Sequence, residues 1–330
     1  MRDESNPGGT TMRRPLLSLV MAGVVTASVG AVGLIASPGV STAKVAEPLY
    51  ISMGDSYSVG YQNPTLGNTT GFTGYVAKKE KLQLENFGCG GATTSSLFTQ
   101  IGCSPGASAA TDAVPYPTTD QVDAVLTYLA LPANFGKVQL VTVSISGNDV
   151  TACANNSNPL PCVQAAQATI ETNVGNLVSQ LDAALTANGD TTARIVGITY
   201  PDVILGDYVM PVGLTNPVLA ALSRVAFDSF INPALNTEYT SVARGAFVNV
   251  TTAHSGAAKM GADTGSFNGT TGAYTGPMSN LTGFGKVPAP VAEVCTLTWY
   301  CNASTFGDIH ANTNGYKFIG KLIAARLLLP

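Results

Sequence analysis

Hydrophobic and polar positions along this chain follow two periods. Short runs at 49–53, 82–87, 138–145, 194–198 and 246–250 are bounded by Gly, Asn, Asp or Pro, which predicts strands; 138–145, alternating and rich in β-branched residues, is the clearest, and 82–87 the weakest. Between them, apolar residues recur three and four apart, which predicts helices. The pattern holds for Phe72, Tyr75 and Val76 in 71–81, and for Val122, Val125, Leu126 and Leu129 ahead of Leu131. Thr119 or Asp120 can cap the second of these helices. A longer helix carries Val163, Ala166, Ile170, Val174, Leu177, Leu181 and Leu185 and stops at Asn188-Gly189. Another is expected over 217–243 with an interruption at Asn232-Pro233, and a last one over 314–329 through Tyr316, Ile319 and Ile323. Strands alternating with helices predict the α/β class: a three-layer α/β/α sandwich around a five-stranded, mostly parallel sheet. Residues 251–307 are rich in Gly, Thr and Pro without a period, and read as one long loop. No internal repeat and no second domain is evident.

Composition narrows this picture. The 330 residues are 45% hydrophobic and 11% charged, enough apolar material for one sizeable core, and a net charge of −4 gives no basic face for nucleic acid. Residues 1–43 read as a signal peptide: Arg13-Arg14 precedes an apolar stretch over 16–35, and Ser41-Thr42-Ala43 supplies a small-x-small cleavage site. The stretch is long enough to span a bilayer, but its small residues and the cleavage site favour removal. A single domain over 44–330, secreted or in the cell envelope and without a stable membrane anchor, is therefore expected. Six cysteines in an exported chain read as disulfides. The simplest pairing is sequential: Cys89–Cys103, Cys153–Cys162 and Cys295–Cys301, each closing a local loop. With no Cys-x-x-Cys and two histidines, a metal site is not expected, nor is any cofactor.

The chemistry concentrates at strand ends. The first strand stops at Gly54-Asp55-Ser56, which sets the Ser56 hydroxyl at the carboxyl edge of the sheet, where open α/β sheets bind ligands. A serine there becomes a nucleophile only with a base to take its proton and donors for an oxyanion. The low-bulk stretch 88–94 after the second strand lets backbone N–H groups approach a ligand, Gly147-Asn148-Asp149 ends the third, and Asp308-Ile309-His310 precedes the last helix. Together these blocks resemble the SGNH hydrolase superfamily, the GDSL lipases and esterases, and among them the secreted three-disulfide enzymes of actinobacteria. The resemblance implies a flavodoxin-like SGNH fold and ester hydrolysis through an acyl-enzyme on Ser56. It also implies His310 as base and acid, Asp308 as the acid partner, and an oxyanion hole from Ser56, Gly91 and Asn148. The substrate would be a small-molecule or lipid ester, and the chain would act as a monomer. One departure stands out: the family places its acid three residues before the histidine, where this chain has Gly307. Either Asp308, two residues before, or a backbone carbonyl would orient the ring.

The same site could deacetylate a polysaccharide or cleave phospholipid, since fold and triad do not fix the substrate. A reading of another class is a cell-envelope binding module that lost turnover. Ser104 matches Gly-x-Ser-x-Gly but sits in a loop beside Pro105, not between strand and helix, and His254 lies near no motif. Trp299 either lines the pocket or anchors its loop, and 209–222 reads better as a core helix start than as a flap.

Overall fold

The computed structural model describes residues 47–62, 70–104, 107, 112–211, 215–253 and 265–329. The predicted signal segment, His254 and the loop residues Pro105 and Gly106 lie outside them. Five strands form the main sheet: β1 (Leu49–Gly54), β2 (Gln83–Asn86), β3 (Val138–Ser144), β4 (Arg194–Ile198) and β5 (Gly245–Val248). Their order is β2-β1-β3-β4-β5 and every pairing is parallel.

Side chains alternate across a pleated strand, so each strand feeds two cores. On one face Ile51, Met53, Val141, Val143 and Ile195 pack beneath helices α3 (Gln121–Leu129) and α5 (Pro159–Ala187). On the other, Tyr50, Leu140, Val196 and Val248 pack beneath α2 (Gly71–Glu80) and α9 (Thr313–Leu327). Helices on both faces make the three-layer α/β/α sandwich, and burial on both faces explains why the strands are apolar almost throughout. Two shorter helices, α1 (Ser56–Val59) and α4 (Gly147–Thr151), begin directly beyond β1 and β3. The chain goes from β1 to β2 on one side and then returns to place β3 on the other. That reversal opens a crevice at the carboxyl ends of β1 and β3.

The structure departs from the sequence reading in three places. The helix expected to break at Asn232-Pro233 does not. Helix α6 (Pro217–Ala226) passes through one π turn (Phe227–Ile231) into α7 (Asn232–Tyr239). Proline lacks the N–H of a regular turn and crowds the preceding one, and the wider π register absorbs both. Continuous from Pro217 to Tyr239, this segment is long and apolar enough to cross a bilayer, but half of its most apolar window is buried inside the protein. Second, the stretch between Cys153 and Cys162, expected as a bridged loop leading into the long helix, already holds its first turn: α5 begins at Pro159, because proline suits the first turn of a helix. Third, within 251–307 the described residues hold two small hairpins and a helix. Strands β6 (Ser266–Phe267) and β7 (Tyr274–Thr275) pair antiparallel, as do β8 (Met278–Leu281) and β9 (Gly285–Pro288). Helix α8 (Ala289–Leu297) follows, and its Val291 and Val294 join Leu205 and Ala220 in a third, smaller core.

The cysteines pair in sequence order, Cys89–Cys103, Cys153–Cys162 and Cys295–Cys301, with Cα–Cα distances of 5.7, 5.6 and 5.0 Å. Three disulfides point to an oxidising, extracytoplasmic setting.

Candidate active site

The site is built outward from the end of β1. Gly54 has φ 125°, and a side chain there would overlap the Ser144 carbonyl of β3, so only glycine admits this close approach. Its N–H donates to Gln121 Oε1 at 2.6 Å, and its carbonyl accepts from the Cys89 N–H at 2.9 Å. The Asp55 N–H then donates to the Ser144 carbonyl at 2.9 Å, pinning the strand end to β3. Asp55 caps α1: its Oδ1 accepts from the Tyr57 N–H at 3.0 Å. Ser56 is thereby the first residue of a one-turn helix, where backbone N–H groups have no partner within the helix. It is buried to 9% exposure yet borders an open pocket.

His310 reaches Ser56 from the far end of the chain. Its Nε2 lies 2.9 Å from Ser56 Oγ, and its Nδ1 lies 2.7 Å from Asp308 Oδ1. The same carboxylate oxygen accepts the His310 backbone N–H at 3.0 Å, an Asx turn that brings a residue two positions away onto the ring. Gly307 before it holds a left-handed φ of 82°. With Asp308 as acceptor, Nδ1 carries the ring proton and Nε2 is left to accept from Ser56. The carboxylate, not a backbone carbonyl, is what meets the ring. The Trp299 N–H donates to the His310 carbonyl at 3.0 Å, and the Tyr61 ring meets the imidazole edge-to-face at 4.4 Å. Trp299 itself donates from Nε1 to Gln62 at 3.2 Å and is not among the residues bordering the pocket, so it anchors its loop.

The other two blocks lock onto each other. Asn148 Nδ2 donates to the Ala92 carbonyl at 2.8 Å, and Asp149 accepts from the Thr94 N–H and hydroxyl, the latter at 2.7 Å. One of the two Asn148 amide hydrogens is thus spent holding the loop that carries Gly91. Gly91 is exposed, no atom lies within 4 Å of where its side chain would be, and among the described residues its N–H donates to no backbone carbonyl. Cys89–Cys103 ties the start of that loop. Ser146, ahead of Asn148, takes φ 98° without being glycine, a strained turn of the kind held in place at functional sites.

Beside Ser56 opens a pocket enclosing about 810 Å³ with its mouth. Its walls are mainly aliphatic and aromatic: Leu160 and Val163 from α5, Leu219 and Leu222 from α6, Phe227 from the π turn and Ile309. The start of α6 is therefore a pocket wall as well as a packed helix. Cys153 borders the pocket too, so its bridge to Cys162 braces a wall rather than a remote loop. Ser104 is exposed in its loop and not among the residues bordering the pocket. Sequence reading missed these walls, because they come from segments far apart in the chain. It also missed Tyr200, at the end of β4, whose hydroxyl donates to Asp55 Oδ2 at 2.6 Å.

A family model described as GDSL-like lipase/acylhydrolase matches residues 50–323. The chain belongs to this family and is a carboxylic ester hydrolase. Among solved structures, a lipase from a goat rumen metagenome aligns at 13% identity and TM-score 0.46, covering 84% of this chain and 97% of its own. A catalytic mutant of an acetylxylan esterase from Geobacillus stearothermophilus aligns at 13% identity and TM-score 0.42, covering 86% and 94%. No curated protein matches the chain.

Two buried carboxyls have consequences for stability. Burial pushes Asp55 up to about 7, against the pull of the Tyr200 hydroxyl and the Tyr57 N–H. Burial pushes Asp202 to about 7 as well, against the Ser223 hydroxyl at 3.1 Å and nearby Arg224. Below about pH 4 both states carry these protons and nothing is lost. Between about pH 4 and 7 the unfolded chain releases them while the folded one keeps them, so stability falls as pH rises, then levels off. Urea midpoints measured across this range should decline, and Asp202→Asn should flatten the decline. An equal slope in the variant would refute the assignment.

Proposed function

We propose that the protein is an exported serine esterase or lipase acting on esters with an aliphatic acyl chain. Ser56 attacks the ester carbonyl while His310 Nε2 takes its proton, then returns that proton to the departing alcohol. Asp308 holds the imidazole in the tautomer that accepts from Ser56. The N–H groups of Ser56 and Gly91 and the second hydrogen of the Asn148 amide receive the oxyanion, which would otherwise develop charge in a largely apolar cleft. Water, activated by His310, then releases the acid from Ser56. These side chains suffice for acyl transfer, and the six cysteines are committed to disulfides. One chain supplies every group, so a monomer is competent.

The observation that carries the reading is the hydrogen-bonded series Ser56, His310, Asp308 opening onto an aliphatic pocket. Such walls favour a hydrocarbon acyl group, since each buried methylene adds about 0.8 kcal/mol. A polysaccharide acetyl ester would leave most of them uncovered. The signal motif and the disulfides support export, with cleavage after Ala43 releasing the domain over 44–330.

Hydrolysis of p-nitrophenyl esters from acetyl to palmitoyl should rise with chain length to a peak beyond acetyl, and vanish in Ser56→Ala. Activity confined to acetyl would overturn the acyl-pocket reading. Asp308→Asn should lower kcat by roughly a hundredfold or more, because the ring loses its orienting acceptor. Near-full activity in that variant would remove Asp308 from the mechanism.

A further inference from the structure

The residues on either side of Ser56 are tied to different parts of the fold. Asp55 is held by Tyr200 at the end of β4. Tyr57 reaches the opposite way: its hydroxyl donates at 2.7 Å to the carbonyl of Ile309, the residue between Asp308 and His310. The other backbone ties of that arm stay local. Gly307 N–H donates to the Tyr300 carbonyl, Asp308 N–H to Thr305, and the His310 carbonyl accepts from Trp299. Among the described residues, two hydrogen bonds join α1 to the Asp308–His310 arm. One is the Ser56–His310 pair itself, and the other is Tyr57 to Ile309.

Those two bonds differ in what the reaction does to them. Acylation replaces the Ser56 hydroxyl hydrogen with an acyl carbon, so the Ser56–His310 bond is lost in the acyl-enzyme. His310 must nonetheless stay in register to activate water for deacylation. Tyr57 to Ile309 involves no reacting atom and persists through both half-reactions. The ring that carries this hydroxyl is 4% exposed and has little room to turn. It meets Tyr200 edge-on at 4.9 Å and Tyr316 at 5.7 Å. Burial, with Asp55 and Asp308 nearby, holds the phenol well above its ordinary pKa, so it remains a donor at working pH.

We propose that the Tyr57 hydroxyl is a positioning group for acyl transfer, holding the acid–base arm in register with α1 through the Ile309 carbonyl. It moves no proton and touches no reacting atom. The inference rests on the triad reading above. Its effect follows from geometry, because misplacing a catalytic group by about 1 Å can cost on the order of a hundredfold in rate.

The test is steady-state kinetics of the full protein, Tyr57→Phe and Ser56→Ala on one p-nitrophenyl ester, with a urea denaturation of each. Tyr57→Phe keeps the ring, so the fold and pocket wall should survive. Its kcat should fall by about five- to thirtyfold, in the range set by one hydrogen bond and the slack its loss permits, with KM not raised. A raised KM at unchanged kcat would make Tyr57 a pocket wall only. A kcat loss matched by a loss of folded protein would make it structural. Either result overturns the proposal, as does wild-type kcat. Should wild type and Ser56→Ala be equally active, or both inactive, the triad reading fails instead, so the two failures are distinguishable.

Discussion

The site depends on where β1 stops against β3. Gly54 and Ser144 lie in register, and the Asp55 N–H bonds the Ser144 carbonyl. Because residue 54 carries no side chain, the two strand ends can approach closely, and Ser56 and Asn148 beyond them border one pocket. The β2–α3 connection then has one place to deliver Gly91, since Asn148 and Asp149 seize Ala92 and Thr94. Three of the four sequence blocks are thus placed by parallel strands ending at one level. The fourth arrives from a loop more than two hundred and fifty residues along the chain from Ser56, as the 254-residue separation of the His310–Ser56 pair records.

That placement is held at a cost in stability. Asp55 is buried and pushed to about 7, yet it must accept from both Tyr57 and Tyr200 to cap α1 and set Ser56 at its first position. Ser146 takes a left-handed backbone without being glycine. Natural chains tolerate such local conflicts where they fix chemistry and offset them elsewhere. Here the offset comes from strands buried on both faces and from disulfides at two of the loops that reach the site.

Much of the fold was legible because its elements announce themselves locally. The five strands are short runs closed by Gly, Asn, Asp or Pro within a few residues, β3 being the richest in β-branched residues, and the observed limits fall within two residues of those expected. The blocks around Ser56, Gly91, Asn148 and His310 were visible as motifs, and the structure draws them together. What could not be read is what depends on distant contacts. The π turn before Pro233 keeps a helix whole where local propensity breaks it. The hairpins of β6 to β9 are too short to show a period. The pocket is invisible in sequence because Leu160, Leu222 and Ile309 look like ordinary core residues until α5, α6 and the final loop converge. Whether Asp308 or a backbone carbonyl meets His310 was likewise open. The Asx turn that decides the geometry is a property of backbone angles, not of spacing.

The central claim is that Ser56 is the reactive serine, activated by His310. A fluorophosphonate probe reacts with serines whose base and oxyanion donors are in place, so labelling the folded protein and mapping the modified peptide by mass spectrometry tests it directly. The account predicts one adduct, on Ser56, absent after mild urea unfolding and strongly slowed in His310→Ala. An adduct on Ser104, or no adduct on the folded protein, would contradict it.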